Sequence, residues 1–285
     1  MKRLQALTAA FVAALFLATL PAAADNSAAL RNRIAVSDIA DRTGTKTLTP
    51  DFLKSGQEAV VALLDQKSRY RPLTRDLLQS DLDDPFSRLG ADATIGIVIQ
   101  EINKTSEVDK GFLKRKKTET ASIRVEFTVS DAQTGSVIYQ VTADGNSQAD
   151  SKTILGLGKK DEKLLTIEDR AFNAALEAVS GRLLEKLDVR PWRTSIRNID
   201  GDRLLLSAGD RDGLQLGDRL AVVRRGLAMG EGPAPVDWLA TVEVETFNSD
   251  SRAVARLVED GIAGVGDWRT SQGVYVTRLD PSKPF

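Results

Sequence analysis

The sequence predicts an α/β domain, built as a twisted sheet with packed helices, followed by a small all-β barrel of SH3-like type. Three observations carry this. Thr120 to Asp144 alternates as two strands: Ala121, Ile123, Val125, Phe127 and Val129 share one face, and Val137, Tyr139, Val141 and Ala143 repeat the pattern. Period-two alternation belongs to a strand with one buried and one wet face. Two segments, Thr49 to Leu64 and Thr166 to Leu187, instead space their apolar residues at helical intervals. From Trp192 onward such stripes stop, and short alternating runs separated by Gly- and Asp-rich turns take over.

A chain of 285 residues suits about two domains. With 42% apolar and 28% charged residues it has the composition of a folded protein. The net charge of −1 gives no whole-protein attraction to nucleic acid. The chain contains no cysteine and no histidine. That excludes disulfides, thiolate nucleophiles, zinc–thiolate sites and lipid on an N-terminal cysteine, and it removes the usual neutral-pH proton shuttle.

The elements follow in order. Residues 1–24 read as a secretory signal peptide: Lys2 and Arg3, an apolar run from Ala9 to Leu20, then Pro21 and small residues up to a cut after Ala24. The apolar run is shorter than the ~20 residues of a membrane span. Residues 25–190 form the α/β domain, 191–280 the barrel and 281–285 a tail. Arg33 to Ile39 is a buried first strand, and Asp41 to Gly44 a turn. Thr49-Pro50-Asp51 starts a helix with an N-cap, a first-position proline and an acid against the dipole. Tyr70 to Leu73 is a short strand, and a second short helix begins near Thr74. Asp81, Asp83 and Asp84 lack calcium-loop spacing and read as a solvated turn.

Ala93 to Gln100 is a central strand, because Val98 makes its second face apolar too. Asn103 to Lys117 reads as a charged loop whose basic run, Lys114 to Lys117, is solvated. Asp131 to Gly135 closes the hairpin, and Gly145 to Leu165 is a polar connection. Gly156 to Lys159 lacks phosphate-loop spacing. Thr166 and Asp169 form a capping box for the longest helix, which ends at Asp188 to Pro191. In the barrel, Ser195–Ile199 and Arg203–Ser207 flank an Asp200-Gly201-Asp202 turn, and Arg219–Arg224, Ala240–Phe247 and Ala253–Val258 are strands. Trp192, Trp238 and Trp268 read as core or turn anchors.

The order of Val36-Ser37-Asp38-Ile39-Ala40-Asp41-Arg42-Thr43-Gly44, Ser68 to Arg75, Val125 to Ser136 and Ser151 to Leu155 resembles the curli-secretion channel (CsgG) family over Arg33 to Leu187. The Trp192 to Thr277 region resembles the C-terminal barrel of the flagellar assembly protein T. The first resemblance implies a cell-envelope protein of the periplasm or the inner leaflet of the outer membrane. Pore-forming members of that family carry a lipidated cysteine and two membrane hairpins per subunit. Here the cysteine is absent, Asn103 to Lys117 is charged, and Gly145 to Leu165 has one short apolar patch, Ile154 to Leu157. Lysines in lipid would cost about 2–4 kcal/mol each near the midplane.

The expectation is therefore a soluble periplasmic relative without transmembrane segments. It would be a non-enzymatic assembly or secretion factor with protein partners and the capacity to self-associate. The alternative is a regulator that activates an envelope enzyme such as a peptidoglycan synthase. No catalytic, cofactor or metal residue is assigned, since no Asp/Glu pair sits in a recognisable motif.

Overall fold

Alternation in β1 (Asn32–Asp41) sends Ile34 and Val36 to one side and Arg33 and Ala35 to the other, and both sides are buried. This strand lies between two parallel neighbours, β2 (Tyr70–Leu73) and β3 (Ala93–Lys110). Antiparallel pairing adds β4 (Arg115–Asp131) and β5 (Val137–Thr153), which gives the order β2-β1-β3-β4-β5. The computed structural model describes residues 30–44, 48–74, 90–110, 115–132, 134–153, 165–225, 236–261 and 273–279. The signal peptide, the helix expected near Thr74, the three aspartates at 81–84, Lys114, Ile154 to Leu157, Gly156 to Lys159, Trp268 and the 281–285 tail lie outside these residues.

Two helices, α1 (Pro50–Asp65) and α2 (Ile167–Asp188), pack on one face of the sheet. Thr49 caps α1 by accepting the Phe52 N–H, and the Thr166–Asp169 capping box opens α2 as the sequence indicates. Phe172 sits between Phe52 and Phe127, at ring-centroid distances of 6.3 and 6.2 Å. Gly145 lets α2 approach β5: a Cβ there would lie 1.9 Å from the Ala171 carbonyl oxygen. The Asp131 to Gly135 loop closes the β4–β5 hairpin, with Gly135 at φ 69°.

Two expectations need correction. Asn103 to Lys117 is not a charged loop, because β3 runs on to Lys110 and β4 already begins at Arg115. Gly145 to Leu165 is not wholly a connection either, since β5 continues through Thr153. The reason is cross-strand pairing: a polar strand needs only ladder hydrogen bonds and facing polar partners, and leaves no apolar alternation to read.

The C-terminal part closes into a six-stranded barrel, in the order β10-β7-β6-β11-β8-β9. Its strands are β6 (Arg193–Asp200), β7 (Arg203–Leu206), β8 (Arg219–Arg225), β9 (Val236–Ser249), β10 (Arg252–Asp260) and β11 (Val274–Arg278). Leu204, Leu206, Leu220, Val222, Val242, Val244 and Val276 fill it. Gly201, at φ 61°, turns β6 into β7. β11, a strand not among those expected from the sequence, closes the barrel between β6 and β8.

Candidate interaction site

Two features stand out, a buried ionic junction between sheet and barrel and a ribbon that outruns the rest of the sheet.

The junction starts from side chains that point away from the helix-covered core. Arg33 leaves β1 on the face opposite Ile34, and Arg193 is the first residue of β6. Asp92 precedes β3, Asp131 ends β4, and Asp212 ends a single 3₁₀ turn, Asp210–Asp212. All five are buried. Arg193 Nη2 donates to Asp131 Oδ2 at 2.6 Å and to the Asp92 carbonyl at 3.1 Å. Arg190 Nη2 donates to the same Asp131 oxygen at 2.5 Å. Arg71 Nη1 reaches both oxygens of Asp212 at 2.9 and 3.0 Å, while Arg33 Nη2 donates to Thr194 Oγ1 at 2.9 Å.

Barrel and sheet are thus cross-linked by charge-assisted hydrogen bonds in a dry setting, where such bonds are strong and their loss is costly. Burial pushes the Asp92 carboxyl up to about 7, against the pull of Arg33 and Arg193. Burial also lowers the Arg33 guanidinium from its usual value, despite Asp212 and Asp92 nearby. None of this was legible locally: Asp131 was read as a loop residue, and it does accept the Thr134 N–H at 3.0 Å. Its arginine partners lie 59 and 62 positions away.

Beside the network lies a cavity of about 670 Å³, walled by Asn32, Ser68, Arg69 and Asp188 on the sheet side and by Trp192, Thr277, Arg278 and Leu279 on the barrel side. Trp192 anchors the seam, as its indole N–H donates to the Arg31 carbonyl at 3.1 Å and its own carbonyl accepts from Thr277 Oγ1 at 2.6 Å. Trp238 packs partly buried against Ala221, Val223 and Tyr275.

The ribbon consists of the distal parts of β3, β4 and β5. Pairing of β1 with β3 stops at Ile99, so among the described residues β3 beyond it pairs with β4 alone, and β5 pairs with β4 alone along its whole length. From Glu101 to Lys110 the free β3 edge extends roughly 35 Å. One face is a polar ladder with rows Glu101–Arg124–Asp144, Asn103–Ser122–Asn146 and Thr105–Thr120–Gln148. Arg124 Nε holds Asp144 at 2.8 Å and its Nη1 reaches Glu101 at 3.4 Å. The other face carries Lys104, paired with Glu168 of α2 at 2.7 Å, then Ser106 and Glu119. The same face also carries Ile102, Ile123, Ala121, Val108 and Ala149, so it is mixed where the first is polar. Arg115 to Lys117, read as a loop, belongs to β4.

Among the described residues no group of three or more His, Cys, Asp or Glu is placed to hold a metal ion, and no helix is long and apolar enough to cross a membrane.

No family model and no curated protein matches the chain. Similar solved structures include a neuraminyllactose-binding hemagglutinin homologue from Helicobacter pylori, with TM-score 0.37 at 10% identity over 58% of this chain and 92% of that one. The PelC dodecamer from Paraburkholderia phytofirmans has TM-score 0.30 at 16% identity over 54% and 89%. The LpoB C-terminal domain from Salmonella enterica has TM-score 0.27 at 11% identity over 42% and 85%. At these scores the likenesses carry no argument about activity.

Proposed function

We propose that this chain is a non-catalytic assembly factor of the bacterial cell envelope, working in the periplasm after residues 1–24 are removed, and that it docks envelope proteins along the β3–β4–β5 ribbon. The observation behind this is the pair of ribbon edges that meet no further strand among the described residues, β3 beyond Ile99 and β5 throughout. Such an edge offers a row of backbone donors and acceptors that strand addition by a partner satisfies. The resemblance of Arg33 to Leu187 to the curli-secretion family supports an envelope setting. The missing cysteine and the polar ladder on one ribbon face favour a soluble relative over a pore. The absence of histidine and cysteine from the sequence is in keeping with binding rather than catalysis.

The test places a photo-crosslinking residue at Thr105 or Gln148 in the ribbon and, as a control, at Arg203 in the barrel, in cells exporting the full chain. Light scattering on the mature protein, with and without detergent, runs alongside. Ribbon-specific crosslinks to an envelope protein, or to a second copy with a matching oligomer in solution, support the reading. A monomer that crosslinks no more from the ribbon than from the barrel refutes it. A ribbon crosslink to a peptidoglycan synthase would single out the regulatory version.

A further inference from the structure

The seam between sheet and barrel does more than hold the two together. Its cavity, about 670 Å³, falls within the range of about 300–1,000 Å³ typical of small-molecule sites, and domain interfaces are a favoured place for them. Among the described residues the charged lining is unbalanced, with three arginines, Arg69, Arg190 and Arg278, and one acid, Asp188. That carboxylate is already engaged, by Arg69 at 2.9 Å and by the Tyr70 hydroxyl. Arg190 is held by Asp131. Arg278, at the end of β11, has no ion-pair partner among the described residues. The remaining wall is mixed, with Leu30, Pro191, Trp192 and Leu279 as its apolar part and Asn32, Ser68 and Thr277 as its uncharged polar part. Among the described residues, arginine therefore outnumbers acid around a partly apolar hollow, and Arg278 is the arginine left without an ion-pair partner there.

We propose that this cavity is a binding site for a small amphipathic anion, a carboxylate or phosphate carried on an apolar chain. The headgroup lies against Arg278 and Arg69, whose forked donors suit both anions bidentately. The chain lies along Trp192, Pro191 and the two leucines, where it removes apolar surface from water. Because the walls come from both sides of the seam, the ligand binds only the docked arrangement of sheet and barrel and stabilises it by mass action.

The experiment titrates the mature full chain with octanoate, octyl phosphate and octanol, each below its micelle concentration, by calorimetry and tryptophan fluorescence. Octanoate or octyl phosphate is expected to bind at least tenfold more tightly than octanol. Whichever of the two binds better separates a carboxylate source from a phosphate source. Arg278→Gln, a change at an exposed strand end, is expected to weaken the anion at least tenfold, leave octanol unchanged and keep the far-ultraviolet spectrum. Arg203→Gln, at the β6–β7 turn and outside the cavity lining, should change neither. Octanol binding as tightly as the anions, anion binding that survives Arg278→Gln, or no binding at millimolar concentration overturns the proposal. None of these outcomes bears on the ribbon, so this site and the docking reading stand or fall separately.

Discussion

Replacing Asp131 with alanine tests the junction most directly. Asp131 Oδ2 receives two guanidinium bonds, from Arg193 at 2.6 Å and Arg190 at 2.5 Å. The two arginines lose different amounts. Arg193 is 6% exposed and cannot turn to water, but it keeps its hydrogen bond to the Asp92 carbonyl at 3.1 Å and stays 3.9 Å from the Asp92 carboxyl group. It therefore loses one buried charge-assisted bond, about 1.5–3 kcal/mol. The Arg190 side chain is 15% exposed and partly recovers hydration, so its loss is about 0.5–1 kcal/mol. These two losses come to about 2–4 kcal/mol, and loss of the Thr134 N–H bond to Oδ1 adds about 0.5–1.5 kcal/mol. The loss falls at the seam, so scanning calorimetry should show sheet and barrel beginning to melt apart where the parent melts as one. Urea unfolding followed by tryptophan fluorescence gives the magnitude. A loss under 1 kcal/mol with a single unchanged transition would refute the idea that this network couples the two parts.

Two further outcomes follow from the same geometry. Asp92 has a folded pKa of about 7, above the 3.8 of the free side chain, so the native state holds an extra proton between those values. Its contribution to stability is complete below pH 3.8, falls as pH rises toward 7 and is flat above, a change on the order of 4 kcal/mol if the burial is unrelieved. The stability of the parent minus that of Asp92→Asn, measured by urea unfolding from pH 4 to pH 8, should therefore decline with pH; a flat difference would contradict the assignment. Gly145→Ala places a Cβ 1.9 Å from the Ala171 carbonyl oxygen and 2.7 Å from the Ala175 nitrogen, so α2 must move off β5 at a cost of about 1–3 kcal/mol. Chemical denaturation measures it, and a neutral result would mean that the helix and strand do not pack this closely.

The elements with a burial signature were readable from residues alone. Period-two alternation in Val125 to Val129 and the caps at Thr49 and Thr166 act within a few residues, where steric and hydrogen-bonding rules are local. The ribbon was not readable, because Asn103 to Lys110 and Asn146 to Thr153 are polar apart from Val108 and Ala149 and show no apolar alternation, and only pairing across β4 makes them strands. β11 is five residues long and owes its place to barrel closure between β6 and β8. The junction lies furthest from local signals. Arg33, Asp92, Asp131, Arg193 and Asp212 are ordinary surface residues by composition. They become a buried network because the β1–β3 pairing and the docked barrel bring them together. By itself, then, the sequence determined two layers and their local punctuation. The tertiary structure decided which polar residues are removed from water, since desolvation depends on neighbours that the chain supplies from far away.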